Sequence, residues 1–462
     1  MDAGQFAEAA AIYGELVRAL PDNPGLRLNL GLALYSEGKY REALGPLQAA
    51  AERDPGSAAA WLMMGLSYLK LNQPPSAVAP LERALQIEPD NQHAQLALAD
   101  AYLSLGNPQE AALMYKKLSE ADPANAKAWQ GLGLSYAALS QLSFHRLEDA
   151  DPESPYHDAL LGQSLLGRGQ YRSAFYWYRH GLAKDGHLPG AHAALAEIYR
   201  ATHHPDWALV EEDRQKREPQ PDCQAETFEC DFLAERFSAV LARTNGNSSP
   251  PTLFWQARAY QELSLDAFHH LMALPTSSEV HELMAQADLE NHNYHDAAKE
   301  WSEALKFAPG DNRLKQALAR ALWMDNNFEQ AEPLLSQLAK ANPGSAEILF
   351  ELGDTLQAMG SYDQAIPWLE KAVRLDPNLA PAQASLGRAY LRVHRTKEAI
   401  PHLQAAVPSD ATGNTLYQLA QAYKEAGQLA LANEAMQKFE RDTGAALART
   451  HKMDEEHEIT AP

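Results

Sequence analysis

A chain of 462 residues with 39 basic and 61 acidic side chains carries a formal net charge of −22, so it repels phosphate backbones and no nucleic-acid partner is expected. Hydrophobic residues make up 45% of it, a normal supply for burial, yet no apolar run approaches the roughly 18 residues a membrane helix needs. Alanine and leucine recur at helical spacing, which predicts an all-α fold.

The opening Met1-Asp2-Ala3-Gly4-Gln5 has neither a basic region nor an apolar core and is no signal peptide. Residues 4–21 carry Gly4, Phe6, Ala9, Tyr13, Leu16 and Pro21 at the spacing of the back half of a unit that recurs downstream. The expectation is that the front half, and any export signal, lies upstream of Met1. Four regular units follow. Pro21, Pro55, Pro89 and Pro123 stand 34 residues apart, in register with small residues at Gly31, Gly65, Ala99 and Gly133 and with Ala43, Ala77 and Ala111. Proline cannot continue a helix, so each one closes a unit.

Within this array Trp61-x2-Met64-Gly65-x2-Tyr68 is followed by Ala77-x3-Leu81-x2-Ala84 and Pro89, and Trp129-x2-Leu132-Gly133-x2-Tyr136 repeats the opening. The pattern resembles the tetratricopeptide repeat, W-x2-L-G-x2-Y, then A-x3-F, then P, at a 34-residue period. The resemblance implies a right-handed α-α superhelix, a solenoid of about twelve helix-turn-helix units, each packing on its neighbours. It also implies a non-catalytic scaffold that binds a peptide or partner helix in its concave groove.

The middle of the chain is irregular. Tyr136-x2-Leu139-Ser140-x3-Phe144-His145-x-Leu147 and Tyr260-x2-Leu263-Ser264-x3-Phe268-His269-x-Leu271 resemble each other, and each lacks about five residues where the turn between two helices belongs. They read as duplicated, shortened helix pairs, each with a core phenylalanine beside a partly exposed histidine. Between them come clearer units at 155–188 and 189–218, then a break at Glu218-Pro219-Gln220-Pro221-Asp222. Asn245-Gly246-Asn247-Ser248-Ser249-Pro250-Pro251 is a loop by composition. Regularity returns near residue 278, with Pro309, Pro343 and Pro377 again 34 apart. The expected organisation is an N-terminal array over 1–209, an irregular cysteine-containing joint over 210–250, a C-terminal array over 251–440, and a capping helix over 441–462 that fades into a disordered tail.

Cys223 and Cys230 have too few companions for a zinc site. Residues seven apart on a straight helix lie about 10.5 Å apart, beyond the roughly 7 Å Cα limit of a disulfide. A bond therefore requires a bend, which Gln224–Glu229 permits; two unbonded thiols is the alternative. The insert also resembles one found in exported bacterial members of the family. That points to an exported or periplasmic protein, with a cytoplasmic one as the alternative. His292 and His295 share a helix face, but no further ligand stands at a spacing that completes a metal set, and a solvated surface is the plainer reading. No phosphate loop, nucleophile elbow or metalloprotease helix is present, so no cofactor, metal or catalytic residue is expected.

By resemblance, positions two, five, nine and twelve of each first helix face the groove. In the N-terminal array these include Leu28, Leu32, Leu62 and Leu66, an apolar strip that either meets a partner or packs on neighbouring first helices. In the C-terminal array they include Arg313, Arg320, Trp323, Arg388, Arg392, Tyr417 and Lys424, a set suited to carboxylates and apolar side chains of an acidic peptide. The carboxylate clamp of chaperone-binding members needs Lys at position five, where this chain has Leu28, Leu62, Leu96 and Gln130. The asparagine ladder of sugar-transferase members is missing as well. Two other roles stand beside the scaffold: an envelope assembly or secretion factor with a structural disulfide, and a metal-binding or enzymatic role for the histidine-rich centre.

Overall fold

The computed structural model describes residues 3–219, 221–224, 227–244, 246–410 and 412–462. Among them the chain forms 25 α-helices, one short 3-10 turn and no strand, an all-α helical repeat solenoid. Two compact units arise: Met1–Leu160 with Lys184–Pro189 and Glu218–Pro275, and Leu161–Ala183 with Gly190–Arg217 and Thr276–Pro462.

One regular unit shows why the sequence folds this way. Ser57 caps the first helix, Ala58–Lys70, by accepting from the Ala60 amide; Asn23, Asn91, Asn125 and Ser345 do the same for theirs. In several units the fourth residue of the first helix donates a side-chain hydrogen bond back to the closing proline's carbonyl. Trp61 reaches Pro55 at 3.2 Å, Gln95 reaches Pro89 at 2.6 Å, Trp129 reaches Pro123 at 2.9 Å and Gln383 reaches Pro377 at 2.8 Å. The proline thus ends one unit and its carbonyl anchors the next. First helices stop at a residue with positive φ, the left-handed conformation a tight turn demands: Gly38, Asn72, Gly106, Gly169 and Gly360, but also His203, His292, Asn326 and His394. Three histidines, His292 among them, are therefore turn residues, a role that Asn and His tolerate better than most side chains.

The small residue of each first helix receives a side chain from the second. A Cβ on Gly65 would lie 2.4 Å from Leu81 Cγ, and one on Gly353 would lie 2.5 Å from Leu369 Cγ. Gly65→Ala is therefore expected to destabilise by about 1–3 kcal/mol, despite the better helix propensity of alanine. Gly14, with nothing within 4 Å, gains about 0.5–1 kcal/mol from the same change. Thermal melts of the two variants should shift in opposite directions.

The two shortened units are not helix pairs. Each is one unbroken helix, Ala126–Ala150 and Pro250–Ala273. Ala137-Ala138-Leu139-Ser140-Gln141-Leu142-Ser143 contains no glycine, asparagine or proline to supply a left-handed turn, so the helix runs straight through. Its second half can no longer fold back on its first. The two helices instead pack on each other, antiparallel and with reciprocal contacts. Ser140 Oγ donates to the Ala257 carbonyl and Ser264 Oγ to the Gly133 carbonyl, both at 2.8 Å. Tyr136 and Tyr260 stack at 6.0 Å, near the centre of this local two-fold arrangement, and Trp129 stacks on His270 at 4.4 Å. In an ordinary unit Gly133 would receive the residue sixteen further on. Here a Cβ on it would meet Phe268, 2.4 Å away. Phe268 is the fused-helix counterpart of that residue, supplied by the other copy. The shortened units have exchanged their second-helix halves within one chain.

The insert before the second long helix forms two short helices, Thr227–Leu233 and Phe237–Thr244. Cys223 and Cys230 are disulfide-bonded, with Cα atoms 5.6 Å apart, across the turn that precedes the first. Asp231, buried, accepts from Arg236 at 2.7 Å and from Arg243 at 2.7 Å, and the Arg236 guanidinium leads in holding its carboxyl below the usual range. Phe232 lies against Trp255 at 5.2 Å with the Arg258 guanidinium over its ring at 4.4 Å, fastening the insert to the second long helix. At the other end of the chain, residues 457–462 are not a free tail: they leave the long helix Leu429–Glu456 and lie against residues 169–204.

Candidate functional site

The first-helix residues expected to line a groove in the later repeats converge on a ladder of polar contacts that runs from repeat to repeat. Arg313 makes a forked pair with Glu282 at 2.6 and 2.8 Å. Arg320 Nε donates to Glu351 at 2.7 Å, with Glu347 3.7 Å from the same guanidinium. Asp354 accepts three bonds: from Trp323 Nε1 at 3.1 Å, from Ser385 at 2.7 Å and from Arg388 at 3.1 Å. Three of the arginines expected to present charge to a ligand therefore spend it on carboxylates of adjacent repeats.

Those carboxylates are what single-unit reading of the sequence misses. Glu282 and Arg313, like Arg320 and Glu351, stand 31 residues apart. In a 34-residue period that spacing joins nearby positions of successive first helices, so the signal is visible only when units are aligned on each other. Glu351 is the most deeply placed, 1% exposed, and its second oxygen has no hydrogen-bond partner. Burial pushes its carboxyl up, and the Arg320 charge pulls it only part of the way back.

The other residues of the set are differently placed. Arg392 and Lys424 are exposed and make no ion pair among the described residues. Tyr417 is exposed, with its ring 5.6 Å from that of Phe439. Arg392 lines a cleft of about 400 Å³ together with Asp354, Gln357, Tyr362, Arg388, Leu391 and Gln418. The Gln418 side-chain oxygen faces inward without a partner. Chemically, the cleft offers an unpaired guanidinium, an aromatic wall and amide groups.

In the other unit, Leu28 packs on a core of Ala43, Leu47, Ala60 and Met64, while Leu62 and Leu66 pack on Ala77, Leu81, Leu98 and Ala101. These leucines and Leu32 are half-buried, so the strip closes the core between first helices and still shows an apolar surface. His292 and His295 turn to separate partners, Tyr294 at 2.9 Å and Asp325 at 3.1 Å. No group of three or more His, Cys, Asp or Glu among the described residues is arranged to hold a metal ion, and no helix there is long and apolar enough to cross a membrane.

No curated protein sequence matches this chain. Solved structures with similar folds include MamA 41-end from Desulfovibrio magneticus RS-1, 20% identical over 37% of this chain and 98% of its own, TM-score 0.34. TTC0263, a thermophilic TPR protein of Thermus thermophilus, is 20% identical over 39% of this chain and 98% of its own, TM-score 0.31. YrrB, described as a TPR protein with an unusual peptide-binding site, is 16% identical over 37% of this chain and 89% of its own, TM-score 0.31. Family models described as tetratricopeptide repeat match residues 1–65, 68–135 and 356–423, residues 317–380 and residues 414–442, together more than half of the chain. With the 34-residue register of prolines, small residues and left-handed turns, this makes the chain a member of the tetratricopeptide repeat family, whose fold supports a protein-interaction scaffold.

Proposed function

We propose that this protein is a non-catalytic scaffold that captures an acidic peptide segment in the cleft between the repeats that start near residues 346, 380 and 414. The observation that carries this reading is the contrast within one row of cations: Arg313, Arg320 and Arg388 are paired, whereas Arg392 at the cleft and Lys424 beyond it are exposed and unpaired. In a chain of net charge −22, an unpaired Arg392 beside Tyr362, with Lys424 unpaired on the helix that carries Gln418, is a local reversal of sign that an acidic, partly apolar segment complements. The test is a panel of fluorescent Asp/Glu-rich peptides titrated by polarisation. Arg392→Glu with Lys424→Glu is expected to weaken the tightest of them by about tenfold or more, and added salt to do the same. Both side chains are exposed, so the fold should survive; undiminished binding by the double variant would end the proposal.

A second role, in assembly or secretion at the cell envelope, is favoured by the Cys223–Cys230 bond, since disulfides persist in oxidising compartments. Thiol titration of the denatured native protein should find no free cysteine; two thiols would remove the support.

A further inference from the structure

Segment 457–462 is held against one edge of its own unit, where two inter-helix turns meet. The His457 ring stacks on Tyr176 at 4.4 Å and its Nδ1 lies 3.3 Å from Ser173 Oγ. Three residues on, the Thr460 carbonyl accepts from the Tyr199 hydroxyl at 2.7 Å. Between these anchors Glu458 and Ile459 form one wall of a cavity of about 660 Å³ whose other walls are two inter-helix turns: Gly169, Gln170 and Tyr171 of one unit, Thr202 and His204 of the next. The anchors are themselves fixed. Tyr199 is fully buried between Phe175 at 5.7 Å and Trp207 at 5.6 Å, and Tyr176 stacks on His180 at 5.7 Å.

We propose that this edge, formed by turns 169–171 and 202–204, is a peptide-binding site and that His457–Pro462 is its ligand in cis. Three features support it. The segment beyond residue 457 has no regular secondary structure, so it is held as an extended peptide is held. One anchor is a buried hydroxyl spent on a main-chain carbonyl, which reads backbone and not side-chain identity. The other is a ring stack, which any imidazole or aromatic side chain satisfies. A segment tethered beside its site acts at an effective concentration in the mM range, so the site is closed to all but tight competitors until the segment lets go. This inference is independent of the cleft at Arg392.

The probe is a fluorescein-labelled peptide, His-Glu-Ile-Thr-Ala-Pro, titrated by polarisation against the unmodified chain and a variant whose residues 457–462 are replaced by a Gly/Ser stretch of equal length. Saturable binding to the Gly/Ser variant is expected, with binding to the unmodified chain about tenfold weaker or more. In the Gly/Ser background, Tyr176→Ala should weaken binding about tenfold, and Tyr199→Phe should weaken it while leaving the buried ring in place. Absence of saturable binding to the Gly/Ser variant at mM peptide, or equal binding to both proteins, overturns the proposal.

Discussion

Leu271→Ala is expected to lower the amide protection of the Ala126–Ala150 helix as much as that of its own helix, Pro250–Ala273. Leu271 and Leu147 are both fully buried and hold equivalent positions in the two exchanged helices. Truncating either removes a core side chain, at a cost of about 2–5 kcal/mol. In a solenoid whose repeats touch only their neighbours, that loss would stay local, because stability is a sum of nearest-neighbour terms. The exchange makes a different prediction, since Ser140–Ala257, Ser264–Gly133 and Tyr136–Tyr260 tie the helices into one structural element. Hydrogen exchange of the Leu147→Ala and Leu271→Ala variants should show the same two helices opening together. Protection lost only in the helix that carries the substitution would rule the coupling out.

Arg320→Gln is expected to destabilise by about 2–3 kcal/mol at neutral pH and by less in mild acid. The pair it breaks is asymmetric: Arg320 is about half exposed, whereas Glu351 is buried with one oxygen already unpartnered. Breaking a fully buried pair costs roughly 3–5 kcal/mol, and the solvent around Arg320 reduces that figure. The sign of the pH dependence follows from the direction of the Glu351 shift. Burial raises its carboxyl in the folded chain above the ordinary glutamate value, so the folded state holds that proton more tightly than the unfolded state. The stability so contributed is fully present below the unfolded value and is lost as pH rises through the folded one. Without the Arg320 charge the folded value climbs further, so the defect should be largest near neutrality and shrink toward about pH 5. Urea midpoints at the two pH values measure this, and adding Glu351→Gln should relieve the neutral-pH defect. A defect independent of pH would show that Glu351 does not titrate as described.

Much of the regular architecture is legible in the chain because its determinants repeat. Pro55, Gly65, Ala77 and the turn residue Asn72 each have counterparts a period away, and each carries a distinct physical task. What escapes is whatever depends on two units at once. The five missing residues are visible at Ser140 and Ser264, yet the expectation of shortened helix pairs presumes that a second helix must return to its own first. With no residue available for the left-handed turn, it finds the other copy. The basic inner face escapes for the same reason, since Arg320 and Arg388 look free until Glu351 and Asp354 are laid beside them. The histidines mislead in the opposite direction: His292 stands three residues from His295 as if to share a ligand, but serves a left-handed turn. Nothing in the composition of His457–Pro462 marks it as a docked segment.

The exchanged helices also bear on how the chain is made. Nearly every contact in a solenoid is local, so folding can follow the ribosome unit by unit. The bonds Ser140–Ala257 and Gly133–Ser264 span 117 and 131 residues and cannot form until the later partner has emerged. At about 5–20 residues per second that is a delay of roughly 6–26 s, during which Ala126–Ala150 is covered on one side by the preceding helix at Tyr115 but lacks the partner that Pro250–Ala273 supplies. This places the synthesis of residues 151–273 as the interval in which the nascent protein most needs a holdase and most readily pairs with the same helix of a neighbouring chain.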